Sequence, residues 1–190
     1  MNATNRNLLA CAIALALAAP AAAAPLFYQG FSICELLPTP PADCYSSPTA
    51  GGAGTYLFPA GWLLRNVDNR TPNPAVSYVN EAWEVREDFG LDVNNSIAFS
   101  TSYYSPVGQA DDWMWTPAIA VPAGVSALSW RARAYDPAYP DGYEVRIMAS
   151  PNVPTGGTGV IGNQLTSSTQ VFSVAAEAAT WTSHLSLIHI

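Results

Sequence analysis

The chain contains no lysine; its seven basic residues are all arginine, against fourteen Asp and Glu, for a formal net charge of −7. A net-acidic chain without a basic patch argues against phosphate backbones and anionic lipid as partners. Charge of either sign is scarce at 11%, yet aromatic residues also reach 11%, far too many for a disordered chain. Histidine is confined to His184 and His189. No HExxH pair, GxSxG nucleophile elbow or phosphate-cradling P-loop occurs. Zinc-protease, nucleophile-elbow and P-loop nucleotide chemistry therefore have no motif to rest on. Long hydrophobic runs are missing too, apart from Leu8–Ala19, which is too short for a membrane span.

That run has a different use. A polar start with Arg6, the apolar stretch, and Ala21-Ala22-Ala23 form the three parts of a secretory signal peptide, removed after Ala23. The mature chain is expected in an oxidising compartment, secreted or at the cell surface, with no transmembrane segment. Cys11 leaves with the signal, so Cys34 and Cys44 are left, ten residues apart, and a disulfide is the expectation. Such a short loop is worth roughly 2.5–3 kcal/mol in the chain-entropy model. Residues 24–54 form the stapled N-terminal segment and 55–190 the main domain. Asn69-Arg-Thr71 and Asn94-Asn-Ser96 match glycosylation sequons but read as ordinary loop residues behind an Ala-rich, bacterial-looking signal.

Past the signal, proline and glycine interrupt every helical period, and short alternating runs take over. Strands are predicted at Thr55–Phe58, Ala82–Arg86, Ile97–Thr101, Met114–Val121, Leu128–Tyr135, Tyr143–Ile147, Gln170–Val174 and Trp181–Leu187. Many short strands with such punctuation mean an all-β sandwich or barrel. Alternation puts Leu128, Trp130, Ala132 and Ala134 on one face, making Trp130 a core residue. The turn-rich connector Asp136–Gly142 predicts that the flanking strands pair antiparallel, with Arg131 or Arg133 across from Glu144. Glu81, Glu84 and Glu87 read as solvated surface residues of a strand; together with Asp111 and Asp112 they are also the only clustered carboxylates that a glycosidase could use.

The most unusual local sequence is Asp111-Asp112-Trp113-Met114-Trp115. Two adjacent carboxylates suit the loop before a strand, where they could hold calcium together with backbone carbonyls; equally, one caps the turn while the other faces water. Trp113 and Trp115 share a face by period two, as core or as a stacking platform for a sugar ring. Tyr139, in the connector, is a third candidate ligand contact.

Six motifs then occur in order: Phe58-Pro-Ala-Gly-Trp62, Ala82-Trp83, Ala98-Phe99-Ser100, Asp111–Pro117, Leu128-Ser-Trp130 with Asp141–Val145, and Trp181–Ser186. In this the chain resembles the choice-of-anchor J family, which is similar to the cleaved adhesin domains of bacterial haemagglutinins and gingipain-type proteases. The resemblance implies a jelly-roll β-sandwich, a cell-surface location, no catalysis, a host protein or glycan as ligand, and structural calcium. The Asp111-Asp112 pair fits the calcium, but the repeated-Asp loop of the relatives is missing. Relatives continue past the Trp181–Ser186 stretch with further strands and an anchor. Ser186-Leu-Ile-His-Ile190 reads like translated adapter sequence, so the jelly roll is expected to lack its C-terminal strand or strands. Three functions are in play: a non-catalytic adhesion module, an extracellular glycan hydrolase, and a structural matrix protein.

Overall fold

In a computed structural model of the chain, the structure describes residues 25–31, 61–76, 82–88 and 92–189. The signal peptide, the Cys34–Cys44 pair, the predicted strand Thr55–Phe58, Glu81 and Ile190 lie outside the described residues. The fold is all-β. Eight strands are β1 (Leu63–Asn66), β2 (Glu84–Asp88), β3 (Asp92–Phe99), β4 (Asp112–Trp115), β5 (Val125–Ala132), β6 (Tyr143–Ile147), β7 (Thr169–Val174) and β8 (Thr182–His189), with one 3-10 turn at Pro74–Val76. No helix among the described residues is long and apolar enough to cross a membrane.

Pairing is nested, twice. The hairpin β2–β3 sits within the antiparallel pair β1–β4, and the pair β6–β7 sits within β5–β8. This corrects the expected pairing of β5 with β6. Both β5 and β8 are eight residues long and match in register from Val125↔His189 to Ala132↔Thr182. A five-residue β6 could satisfy fewer of the backbone groups of β5. The connector is held otherwise: Ala138 donates to the Asp136 carboxylate, and Asp141 accepts from the Glu177 amide at 2.9 Å. At Gly142 any Cβ would collide with the backbone carbonyl of Val174, so only glycine lets the connector lie this close to β7. Arg133 accordingly pairs with Asp88, and Glu144 with Arg146 of its own strand.

The facing of β5 follows its alternation. Ser126, Leu128, Trp130 and Ala132 are half-buried, while Val125, Ala127, Ser129 and Arg131 are exposed. Trp130 is therefore half-buried rather than fully enclosed. Its ring meets Phe172 of β7 edge-on at 4.9 Å and stacks on His184 of β8 at 5.4 Å, which joins the two strand pairs through an aromatic layer. Small residues at the centre (Ala82, Val85 and Ala134) and Val67 and Tyr104 complete the buried apolar set among the described residues. Glu84, expected on a solvated face, is buried at 4% exposure.

Two polar clusters fasten the strand pairs to one another. Asp88, at the end of β2, accepts both Nε (3.2 Å) and Nη2 (2.6 Å) of Arg133 and, on its other oxygen, Nε1 of Trp181 at 2.9 Å. The second is centred on Glu177, between β7 and β8. Its Oε2 accepts the Tyr143 hydroxyl at 2.9 Å and lies 2.8 Å from His184 Nε2, while Oε1 accepts the Ala178 amide at 2.8 Å. Trp130 Nε1 in turn donates to the Tyr143 hydroxyl at 2.9 Å.

Candidate ligand-binding site

The strand β4 carries the site. Its register places Trp113 across from Arg65 and Trp115 across from Leu63, so these four side chains share one face of the β1–β4 pair. The two indoles stack, with ring centroids 5.7 Å apart and planes inclined by 10°. Both are half-buried, leaving part of each ring open to water. Asp111, directly before the strand, accepts a 2.5 Å hydrogen bond from Trp113 Nε1 and fixes that ring. The Arg65 guanidinium donates through Nη1 to the carbonyl of Leu64 at 2.7 Å, and its buried Nε has no partner.

The loops on either side are set by short polar residues. Asn66 accepts from the Asn69 amide at 2.7 Å, and Asn69 takes the left-handed conformation at φ 48°, which asparagine tolerates better than most residues. Asp68 then accepts the amides of Arg70 at 2.8 Å and Asp111 at 2.6 Å, which locks the entry to β4 onto the exit from β1. Asn69 in the first sequon is thus a working turn residue.

Asp112 points to the opposite side from Asp111. Its Oδ2 accepts the hydroxyl of Tyr104 at 2.7 Å and lies 3.5 Å from Ser100 Oγ, and its backbone carbonyl accepts Trp83 Nε1 at 3.2 Å. Its other oxygen, Oδ1, is buried and has no partner. Burial pushes the Asp112 carboxyl up to about 6; the charges of Asp68 and Asp111 add to this, against the hydrogen bonds from Tyr104 and Ser100. Burial and the same carboxylate push the Tyr104 hydroxyl upward as well. Tyr104 is delivered by the bridge Pro72↔Tyr104 and by bonds between Thr71 and Ser105 and between Asn73 and Tyr103.

The predicted site residues therefore fall into two groups. Trp113, Trp115 and Asp111 come together on one face, with Asp112 beneath them. Tyr139 is 79% exposed on the β5–β6 connector and makes no ring contact with either tryptophan among the described residues. For calcium, which takes six to eight oxygens, the carboxylates of Asp111 and Asp112 do not converge. No group of three or more His, Cys, Asp or Glu is placed to hold a metal among the described residues. The calcium expectation rests on a single atom, the unpaired Asp112 Oδ1.

Arg65, Asp68 and Tyr104 were not legible as site residues. Arg65 and Asp68 belong to β1 and its following turn, a strand that alternation in Leu63-Leu64-Arg65-Asn66 does not mark. Comparison with known proteins finds no matching family model, no matching curated protein and no matching solved structure, so the family resemblance rests on its six ordered motifs.

Proposed function

We propose that the chain is an exported, non-catalytic binding module of the choice-of-anchor J and cleaved-adhesin kind, which takes an extracellular glycan on the Trp113–Trp115 face. The observation that carries this is the stacked, half-exposed indole pair, with Asp111 bonded to one ring and Arg65 beside it. Indole faces cover the apolar C–H faces of sugars, and neighbouring carboxylate and guanidinium groups bond their hydroxyls. The antiparallel, twice-nested pairing of the described strands supports a jelly roll, an all-antiparallel architecture. The signal-peptide pattern and the cysteine pair Cys34 and Cys44 support export.

A glycan array probed with the mature chain tests the reading. Binding is expected to at least one glycan class, and Trp113→Ala or Trp115→Ala should weaken it at least tenfold with the melting temperature nearly unchanged. Binding equally strong in both variants, or none in the parent, removes the proposal. Structural calcium belongs to the same reading. Millimolar calcium should then raise the melting temperature, and Asp112→Asn should cancel the rise; no rise eliminates it.

One observation favours a second reading, the glycan hydrolase. A buried carboxyl raised to about 6 suits a general acid at neutral pH, and Asp112 has that character. Turnover of reporter glycosides, abolished in Asp112→Asn, would replace the first reading with this one.

A further inference from the structure

We infer that the outer face of the β5–β8 pair is a docking surface for an acidic, apolar peptide segment of a partner protein. The face is built by alternation: Val125, Ala127, Ser129 and Arg131 on β5, with Ser183, Leu185 and Leu187 on β8, all point away from the aromatic layer. Val125 is 63%, Leu185 64% and Leu187 60% exposed, and the register sets Leu187 directly across from Ala127. Leu185 and Leu187 follow one another on the same face of β8, with Ala127 across from Leu187, Val125 diagonal to it and Ser129 across from Leu185, so the exposed apolar side chains lie beside one another as a short strip.

Charge selects the occupant. At one end of the strip the Arg131 guanidinium lies over the Trp181 ring, 5.4 Å from its centroid. Arg133, 5.7 Å from the same ring's centroid, is neutralised by Asp88. Among the described residues Arg131 has no carboxylate partner, and no Asp or Glu stands on this face between positions 125 and 131 or between 183 and 187. In a chain of net charge −7 this is an isolated cation, held by an indole and presented to solvent. It complements a carboxylate, and the strip beside it complements apolar side chains. From Arg131 to Val125 the strip runs about 20 Å, which fits an extended segment of six or seven residues with alternate Leu or Val and a Glu or Asp at one end. A surface this small makes a transient contact.

The test uses the mature chain and three synthetic heptapeptides: alternating Leu and Thr with a terminal Glu, the same with Gln for Glu, and a scrambled version. Amide resonances of β5 and β8 should shift on titration with the Glu peptide. The Gln peptide should bind about tenfold more weakly, the scale of one charge-assisted bond. Arg131→Gln should erase that difference, and Leu185→Ser/Leu187→Ser should abolish binding with the circular dichroism unchanged. Equal affinity for the Glu and Gln peptides, or shifts outside β5 and β8, overturns the proposal. So does self-association lost in the Leu185→Ser/Leu187→Ser variant, which would make a second copy the occupant. Binding to neutral phosphatidylcholine vesicles in place of the peptides would make it a lipid surface and likewise overturn it.

Discussion

Asp112, in the half of the fold that begins with β1 and ends with β4, and Glu177, in the half built from β5 to β8, are both carboxylates removed from water, and they answer that burial in opposite ways. Asp112 has one oxygen bonded by Tyr104 and one without a partner, and it is pushed up to about 6. Glu177 is more deeply enclosed, at 6% exposure. Burial alone would push it up, but donors from Ala178, Tyr143 and His184, with the His184 charge, outweigh that and hold it below the ordinary glutamate range. The same donation, with burial as the larger cause, pushes the Tyr143 hydroxyl up to about 12. Donors and neighbouring charge together, set against burial, then decide whether a buried acid acts as a fastener or stays available for protons and ligands. The β5–β8 half is closed around its acid; the β1–β4 half leaves its acid unfinished, next to the tryptophan pair.

The comparison can be broken at several points. The largest effect is expected from Trp130→Ala, which removes the ring shared by Phe172, His184 and the Tyr143 bond. Urea unfolding should show a loss of roughly 3–5 kcal/mol, and a near-neutral result would invert the facing assigned to β5. Glu177→Ala should come next, at about 3 kcal/mol, because it strands three donors in a buried place. A loss below about 1 kcal/mol would show that water replaces the carboxylate and that the network is no fastener.

Asp112→Asn is expected to be the mildest, below about 1 kcal/mol at pH 7, since the amide oxygen can still accept from Tyr104 and one desolvated charge is gone. Its signature is in the pH profile. The folded Asp112 holds its proton up to about 6, whereas an unfolded aspartate releases it near about 3.9. The folded state binds more protons in that window, so stability should fall as pH rises from about 4 to about 6. Glu177 works the other way: its contribution is present above the ordinary glutamate value of about 4.3 and is lost as pH falls through its lower folded value. Denaturation curves at pH 4, 5, 6 and 7 should show the downward slope in the parent chain and not in Asp112→Asn. An identical slope in both would assign it elsewhere.

Much of this was legible in the sequence where the signal is local. Alternation located β6 to the residue, gave the facing of β5, and put Trp113 and Trp115 on one face. Partner choice was not local: β5 pairs with a strand some fifty residues on, across the nested β6–β7 pair, and nothing in Asp136–Gly142 marks that. Glu177 sits in Ala175-Ala-Glu-Ala-Ala179 with no pattern around it; its importance comes from Tyr143 and His184, which lie 34 and 7 residues away. Asp112 stood out as one of a pair, but its burial depends on Tyr104 and Ser100, brought in by separate loops. Glu84 was misjudged because residues three apart in a strand alternate faces, so it could not share one solvated face with Glu81 and Glu87.

The nested pairing also dictates an order of assembly. Joining β5 to β8 directly means closing a loop of about fifty residues, but once β6 and β7 have zipped, fewer than twenty free residues are left to gather. That lowers the closure cost by about 1 kcal/mol, and it gives the outer pair a preformed aromatic surface on which to settle. Pulse-labelled hydrogen exchange during refolding should find β6–β7 amides protected ahead of those in β5–β8; the reverse order would mean that the long loop closes unaided. On this route the outer face of β5–β8 is the last surface of that half to take shape, so a partner that docks there meets only chains whose interior is already in place.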